Sequence, residues 1–303
     1  MPTRQIRKAV IAVAGFGTRF LPATKAVPKE LLPIVDRPIV QCLVQELVES
    51  GIREIILVTR AGTQAIADHF DTQRELELHL IDSQKPDLLR KVQAVAQLAN
   101  FAVVRQGRHL PYGNGSPLLA AKSFLDTGEP FVFMFGDDLV LSEIPCVKQL
   151  IEVHTKYEPA ATIAFQEVPE TEIFRYGAAQ LKAGIEPKEI VEIVEKPKGV
   201  APSNLAQLGR FILPWRIIEI LERLAIEVQQ GKKDELYLTY ALNQLCRESR
   251  VLAHPIEGQW LTTGDPLRYL EACVVYALRD KTIGGDFAKF LSTLDLGQSS
   301  VVR

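Results

Sequence analysis

The sequence predicts an α/β fold: a mostly parallel mixed central sheet flanked by helices, with antiparallel additions and a C-terminal helical region. Three observations carry that prediction. Short apolar runs alternate with longer stretches of helical periodicity through the first half, the signature of successive βαβ units. From residue 160 onward the apolar runs come at shorter spacing, as antiparallel strands do. No repeat, low-complexity segment or polar linker divides the 303 residues, 47% of them hydrophobic and 24% charged, so a single domain over 1–303 is expected.

The elements follow in order. KAVIAVA, residues 8–14, reads as a buried strand, and PIVQCLVQELVESGI, residues 38–52, as the first crossover helix, with Gly51 as its stop. REIILVT is a second strand, TQAIADHF an amphipathic helix, and a helical hairpin or one long helix runs on to about Leu98. FAVVRQG makes a third strand and SPLLAAKSFL a helix after a glycine turn. PFVFMFGDDLV, residues 130–140, reads as a fourth strand whose end carries two aspartates. YGAAQLKAG, EIVEIVEKP and AQLGRFILP supply the antiparallel additions. Helices return at PWRIIEILERLAIEVQQG and DELYLTYALNQLCRES, then RVLAHPIEG forms a strand before the closing helix PLRYLEACVVYALRD. The last residues, SSVVR, read as frayed.

Composition excludes several functions. A net charge of −2 lacks the basic footprint of nucleic-acid binding, so any anion must be held by local charge. No apolar run reaches the roughly 18 residues of a membrane span, and the N-terminus lacks a signal-peptide cleavage pattern, so a cytoplasmic protein away from membranes is expected. The four cysteines lack CxxC spacing and the five histidines lack metal spacing, which suggests neither disulfides nor zinc.

The first strand runs into Gly15-Phe16-Gly17-Thr18-Arg19, then Lys25 and Pro28-Lys29-Glu30. Glycines let backbone N–H groups approach an anion closely. The dinucleotide fingerprint fails, because its third glycine position holds Phe20 and no acidic residue ends the second strand. The Walker pattern lacks its Lys-Ser/Thr. Backbone amides together with Arg19 and Lys29 suit a triphosphate, with a solvated basic turn as the alternative. Ligands of open parallel sheets bind beyond the carboxyl ends of the strands, which lets Gly15, Gln106 and Asp137 converge on one crevice. On residue type alone, Asp137 suits either a magnesium ligand or the cap of a turn. Asp138 should point the other way where the backbone is extended.

The stretch VAGFGTRFLPATKAVPKELLPIVDRP resembles the signature loop of the sugar-1-phosphate nucleotidylyltransferases. The resemblance continues in order through HFDTQRELE, VRQG, GDDLV, RYGAA, VEKPKGVAPSNLAQLGRFIL, DELYLT and TGDPLRYLEACVVYALR, which is nearly the whole chain. HFD and APSNLAxxGR are similar to the uridylyltransferase branch. The resemblance implies a Rossmann-like nucleotidyltransferase fold with a nucleotide-binding half over roughly 1–140, a sugar-phosphate-binding half over 141–264 and a C-terminal helical region over 265–303 able to form an oligomer contact. It also implies uridylyl transfer from UTP to α-D-glucose 1-phosphate, giving UDP-glucose and pyrophosphate, with Mg2+ as cofactor and a homo-oligomeric assembly. The alternatives are another pyrimidine triphosphate or sugar 1-phosphate, or a catalytically weak nucleotide-sugar-binding homologue.

The resemblance further implies roles for single residues. Arg19 and Lys29 hold the triphosphate with the Gly15 and Gly17 amides, Ala14 and Gly15 contact uracil through the backbone, and Gly113 lies under the base. Gln106 faces the uracil edge, where its amide offers the donor and acceptor an imide demands. Asp137 holds magnesium, Lys196 the sugar phosphate, and Gly177, Glu195 and Glu235 the glucose. Two departures stand out: Gly113-Asn114-Gly115-Ser116-Pro117 replaces the family's Gly-Leu-Gly-His-Ala, and Thr262 occupies the position of a second carboxylate. Asp265, three residues further on, is not expected to replace it.

Overall fold

The computed structural model describes residues 5–295, so the expected frayed end at 299–303 lies outside the described residues. In the first half come β1 (Lys8–Ala12), the two-residue strands β2 (Pro33–Ile34) and β3 (Arg37–Pro38), α1 (Ile39–Glu49), β4 (Glu54–Thr59), α2 (Gln64–His69), α3 (Arg74–Asp82), α4 (Pro86–Ala96), β5 (Asn100–Arg105), α5 (Ser116–Ala121) and β6 (Phe131–Phe135). The second half holds β7 (Asp138–Leu141), α6 (Cys146–Tyr157), β8 (Ala161–Glu167), β9 (Gly177–Leu181), β10 (Ile190–Glu195), β11 (Leu205–Leu213), α7 (Arg216–Gln229), α8 (Leu238–Glu248), β12 (Val251–Pro255), β13 (Gln259–Thr262), α9 (Pro266–Arg279) and α10 (Gly284–Ser292).

Nine strands form one sheet with the path β10-β9-β11-β6-β1-β4-β5, extended by β8 on β11 and β12 on β8. β1 runs parallel to β4 and β6, and β4 parallel to β5. β11 is antiparallel to β6, β8 and β9, and β10 is antiparallel to β9. The chain therefore steps outward from β1 through β4 to β5, then returns to β6 on the other side of β1. The point between β1 and β6 is a topological switch, where parallel sheets place their ligands.

Side-chain alternation explains why the central strands are apolar throughout. Val10, Ile56, Phe131 and Phe133 enter one buried cluster with α5, α7 and α8, whereas Ala9, Ile11, Ile55, Leu57, Val132 and Met134 enter another with α1 and α6. Both faces of the sheet are covered, so the strand interiors need apolar side chains on both faces, and Lys8 and Glu54 are confined to strand ends.

The structure departs from the sequence reading in two places. PFVFMFGDDLV is two strands: β6 ends at Phe135, and β7 leaves the main sheet to pair antiparallel with β13. Gly136 lies at the break, where the backbones run so close that a Cβ would come within 2.7 Å of the Ala12 carbonyl oxygen. The helix expected from Asp234 begins only at Leu238, because the Leu236 backbone is bonded to Tyr112 and Gly115. Of the two forms open for residues up to Leu98, the hairpin of α3 and α4 is observed, and α10 follows the expected closing helix. Among the described residues no helix is long and apolar enough to cross a membrane.

Candidate active site

The loop after β1 is held from behind by its carbonyls. Gly17 has φ 63° and ψ 28°, a left-handed conformation open to glycine at no steric cost. Its carbonyl accepts from the Thr24 hydroxyl at 2.7 Å and from the Phe20 N–H at 2.9 Å. The Gly15 carbonyl accepts from Arg60 Nε at 3.3 Å, and the Arg60 guanidinium lies over the Phe16 ring at 5.0 Å. In a trans peptide the C=O and N–H point opposite ways, so fixing these two carbonyls also fixes the Phe16 and Thr18 amides. The fold thus fixes the orientation of these two amides in advance, which suits them to an anion.

Asp137 stands in the turn after β6, across the switch from this loop. Lys29 Nζ lies 2.5 Å from Asp137 Oδ2. The Asp137 carbonyl is anchored by the Thr263 N–H at 2.6 Å and the Thr263 hydroxyl at 2.9 Å. Arg19 Nη1 donates to the Gly264 carbonyl at 3.0 Å. A Cβ on Gly264 would meet Arg19 Nη1 at 3.2 Å, Thr262 Oγ1 at 3.4 Å and Asp137 Oδ2 at 3.5 Å, so these three polar atoms converge on one point. Burial alone would raise the Asp137 pKa, but the Lys29 charge, its hydrogen bond and Arg19 outweigh it and hold the carboxyl below the usual range. The Lys29 ammonium is raised in spite of burial, chiefly by Asp137 and Glu30.

Asp138 has a different task. Its Oδ2 accepts from the Gly209 N–H at 3.0 Å and its Oδ1 from Trp260 Nε1 at 2.9 Å, so the two neighbouring carboxylates diverge. Burial and the Asp137 charge push its carboxyl up, against Arg210 and those donors. Asp265 caps α9 by accepting from the Arg268 N–H at 3.1 Å and pairs with Arg175 at 2.9 Å, which commits it away from Asp137.

The remaining predicted residues lie in two groups. Gly113, with φ 138°, is pressed against the chain before α8, where a Cβ would clash with the Leu236 backbone. Asn114 Oδ1 accepts the Leu238 N–H at 2.7 Å and so caps α8. This departure from the family motif ties the Gly113 loop to the segment carrying Glu235. Gln106 follows β5, its N–H on the Thr59 carbonyl at 2.8 Å, and its side-chain amide makes no hydrogen bond among the described residues. In the second group Glu195 pairs across β10 and β9 with Gly177, and its Oε2 accepts from the Thr239 hydroxyl at 2.7 Å. Tyr237 is pushed up to about 12 by burial first, then by the nearby Glu235 and the Glu195 charge. Lys196 is exposed, has φ 44° and makes no ion pair among the described residues. A non-glycine residue held in that region is strained, and such strain concentrates at functional sites.

The structure thus brings Gly15, Gly17, Arg19, Lys29 and Asp137 together, and separately sets Glu195 beside Gly177 and Thr239, with Glu235 near Tyr237; among the described residues no hydrogen bond or ion pair joins the two groups. Sequence reasoning missed Thr24, Arg60, Tyr237 and Glu30. Glu30 is buried beneath the loop with Oε2 unpartnered. Its adjacency to Lys29 in PKE was the available signal. No group of three or more His, Cys, Asp or Glu able to hold a metal occurs among the described residues. One carboxylate beside a hydroxyl suits a hard cation that keeps waters and arrives with phosphate oxygens.

The Nucleotidyl transferase family model matches residues 8–277. The chain belongs to this family. The UTP–glucose-1-phosphate uridylyltransferase of Staphylococcus epidermidis is 42% identical over 295 residues, 97% of this chain and 100% of that protein. That of Staphylococcus haemolyticus is 42% identical over 293 residues, 96% of this chain and 99% of that protein. Among solved structures, the UTP-bound UGPase of Acinetobacter baumannii superposes with TM-score 0.87 at 34% identity, covering 96% of this nucleotidyl transferase and 100% of that chain. A UDP-glucose pyrophosphorylase complexed with UDP-glucose gives 0.78 at 33%, covering 91% and 100%. The family resemblance read from the glycine loop, and the nucleotidyltransferase fold it implied, are borne out.

Proposed function

We infer that this nucleotidyl transferase moves the uridylyl group of UTP onto α-D-glucose 1-phosphate, giving UDP-glucose and pyrophosphate. One observation carries the reading: an amide cradle with Arg19 and Lys29 faces Asp137 at the sheet's switch point, in a chain similar to uridylyltransferases along nearly its whole length. A phosphate oxygen of the sugar phosphate attacks the α-phosphorus of UTP, and the bond from that phosphorus to the β-phosphate bridging oxygen breaks as pyrophosphate leaves. No protein nucleophile is needed, so catalysis consists of alignment and charge neutralisation.

The chain's residues divide that work. Arg19, Lys29 and the N–H groups of the loop from Gly15 to Thr18 neutralise and orient the triphosphate. Ala14, Gly15, Gln106 and Gly113 take the uracil, and Lys196 brings the sugar phosphate to the α-phosphorus against the repulsion of two anions. Glu195 and Glu235 accept from glucose hydroxyls, with the Gly177 backbone against the ring. Magnesium belongs to the same reading, with Asp137 as its one protein carboxylate and Thr262 beside it; when bound, such an ion neutralises phosphate charge and aligns the phosphoryl group.

Self-association is proposed too. Leu267, Leu270, Val274 and Leu278 are exposed at helical spacing along α9, and a second copy of the chain would cover this apolar stripe. Sedimentation should show more than a monomer at micromolar concentration, and a Leu270→Lys variant should dissociate. A cytoplasmic setting completes the reading, since UTP is held there. The activity is tested by pyrophosphate release from glucose 1-phosphate with UTP, dTTP, ATP and GTP in turn. UTP should be fastest, and equal rates with dTTP would remove the uridylyl assignment.

A further inference from the structure

The Lys29–Asp137 pair is itself informative. The two side chains are 16% and 28% exposed, and Lys29 has no second carboxylate partner among the described residues. Lys29 also runs under the phosphate loop, for a Cβ on Gly15 would lie 3.6 Å from its Cε. The ammonium therefore sits between an anion of the protein and the place where an anion of the ligand is held. A divalent cation reaching Asp137 would meet Lys29 and Arg19 at close range, in a partly buried setting where solvent screens weakly.

We propose that Lys29 holds Asp137 closed to a divalent cation in the nucleotide-free protein, and that the incoming triphosphate draws Lys29 away, so that metal and nucleotide are admitted together. The proposal rests on the magnesium reading above. The exchange conserves charge pairing throughout: Asp137 passes from an ammonium to a metal ion, and Lys29 passes from a carboxylate to phosphate oxygens. Neither the carboxylate nor the ammonium is left uncompensated away from water, which would be costly. Removing the lysine charge should then open Asp137 to the free ion.

The experiment is a manganese titration followed by the electron paramagnetic resonance signal of the free ion, with and without UTP. Nucleotide-free wild type should bind Mn2+ weakly. Lys29→Met should bind it at least about tenfold more tightly, as loss of a charge-assisted contact predicts. Lys29→Arg, which keeps the cation, should stay like wild type, and Lys29→Met combined with Asp137→Asn should lose the gain. If Lys29→Met does not fold, Lys29→Gln carries the same test. A neutral variant that binds free Mn2+ no more tightly than wild type overturns the proposal, as does tight Mn2+ binding by nucleotide-free wild type. The underlying magnesium reading fails separately, if Asp137→Asn leaves Mn2+ uptake in the presence of UTP unchanged.

Discussion

Arg210 donates from Nη2 to the main-chain carbonyl of Asp138 at 2.6 Å, so an arginine in the middle of β11 holds the turn that carries Asp137. The same guanidinium reaches both carboxylate oxygens of Glu46 on α1 at 2.9 to 3.3 Å. The Arg210 side chain is 0% exposed and that of Glu46 10%. Glu46 in turn accepts the Val147 N–H near the start of α6 at 3.2 Å. One buried ion pair thus joins the sheet, two helices and the aspartate turn.

Breaking this pair from one side should be expensive. Arg210→Met leaves the Glu46 charge buried and should cost about 3–5 kcal/mol, whereas Arg210→Met with Glu46→Leu should recover much of that loss. Urea denaturation measures both. A loss below about 1 kcal/mol for the single variant would mean that water reaches Glu46 and that the pair is not the anchor described.

Glu30 makes stability depend on pH. Its side chain is 1% exposed, and burial pushes its carboxyl from an ordinary 4.5 to about 7, with Asp137 adding to the rise and Lys29 and Arg60 opposing it. Between those values the folded chain binds more protons than the unfolded one, so this group's contribution falls as pH rises through the window, by about 3 kcal/mol in all. Glu30→Gln has no such proton to lose. Its stability relative to wild type should therefore improve by roughly that amount between pH 4.5 and 8. Denaturation at the two ends checks this, and an offset that is the same at both would refute it.

The two ends of the site should separate kinetically. Lys196, strained at the end of β10 beside Glu195, is assigned to the sugar phosphate, and Arg19, whose one side-chain hydrogen bond among the described residues is to the Gly264 carbonyl, to the triphosphate. Lys196→Ala should raise KM for glucose 1-phosphate about ten- to a hundredfold with little change for UTP, and Arg19→Ala should do the reverse. An effect of Lys196→Ala confined to UTP would swap the two roles.

The sequence made some of this legible for reasons that particular residues explain. β1, β4 and β6 are buried on both faces, so Ala9–Ile11 and Phe131–Met134 had to be apolar runs, and runs are what periodicity detects. The change of sheet at Gly136 was invisible, because an apolar run resumes at Leu139 and nothing local tells it to pair with β13 instead of β1. Arg210 was read only as part of a strand. Its burial is settled by Glu46, 164 residues away, and long-range pairing leaves no trace in local pattern. Thr24 and Arg60 escaped for a related reason: they act on the carbonyls of Gly17 and Gly15, and backbone acceptors carry no side-chain signature. Asn114, noticed only as a departure, proves to be the cap of α8.

Thr262 offers the sharpest test of the magnesium proposal. Its hydroxyl and the Asp137 carboxylate both face the point near Gly264 that Arg19 also approaches, and Asp265, the nearest alternative acid in sequence, is occupied with Arg175 and the start of α9. Thr262→Asp would set a second carboxylate beside the first. Without a metal, like charges at this distance repel, partly offset by Arg19 and Lys29, so the variant should lose about 1 kcal/mol, or roughly 2 °C in melting midpoint for a chain of this length. With a metal the same pair becomes a better oxygen donor set. Millimolar magnesium should therefore raise the midpoint of the nucleotide-free variant while leaving wild type where it was. Calorimetry with and without magnesium reads both at once. If the variant's midpoint ignores magnesium even when Lys29→Met removes the ammonium from Asp137, Thr262 and Asp137 do not face a common ion.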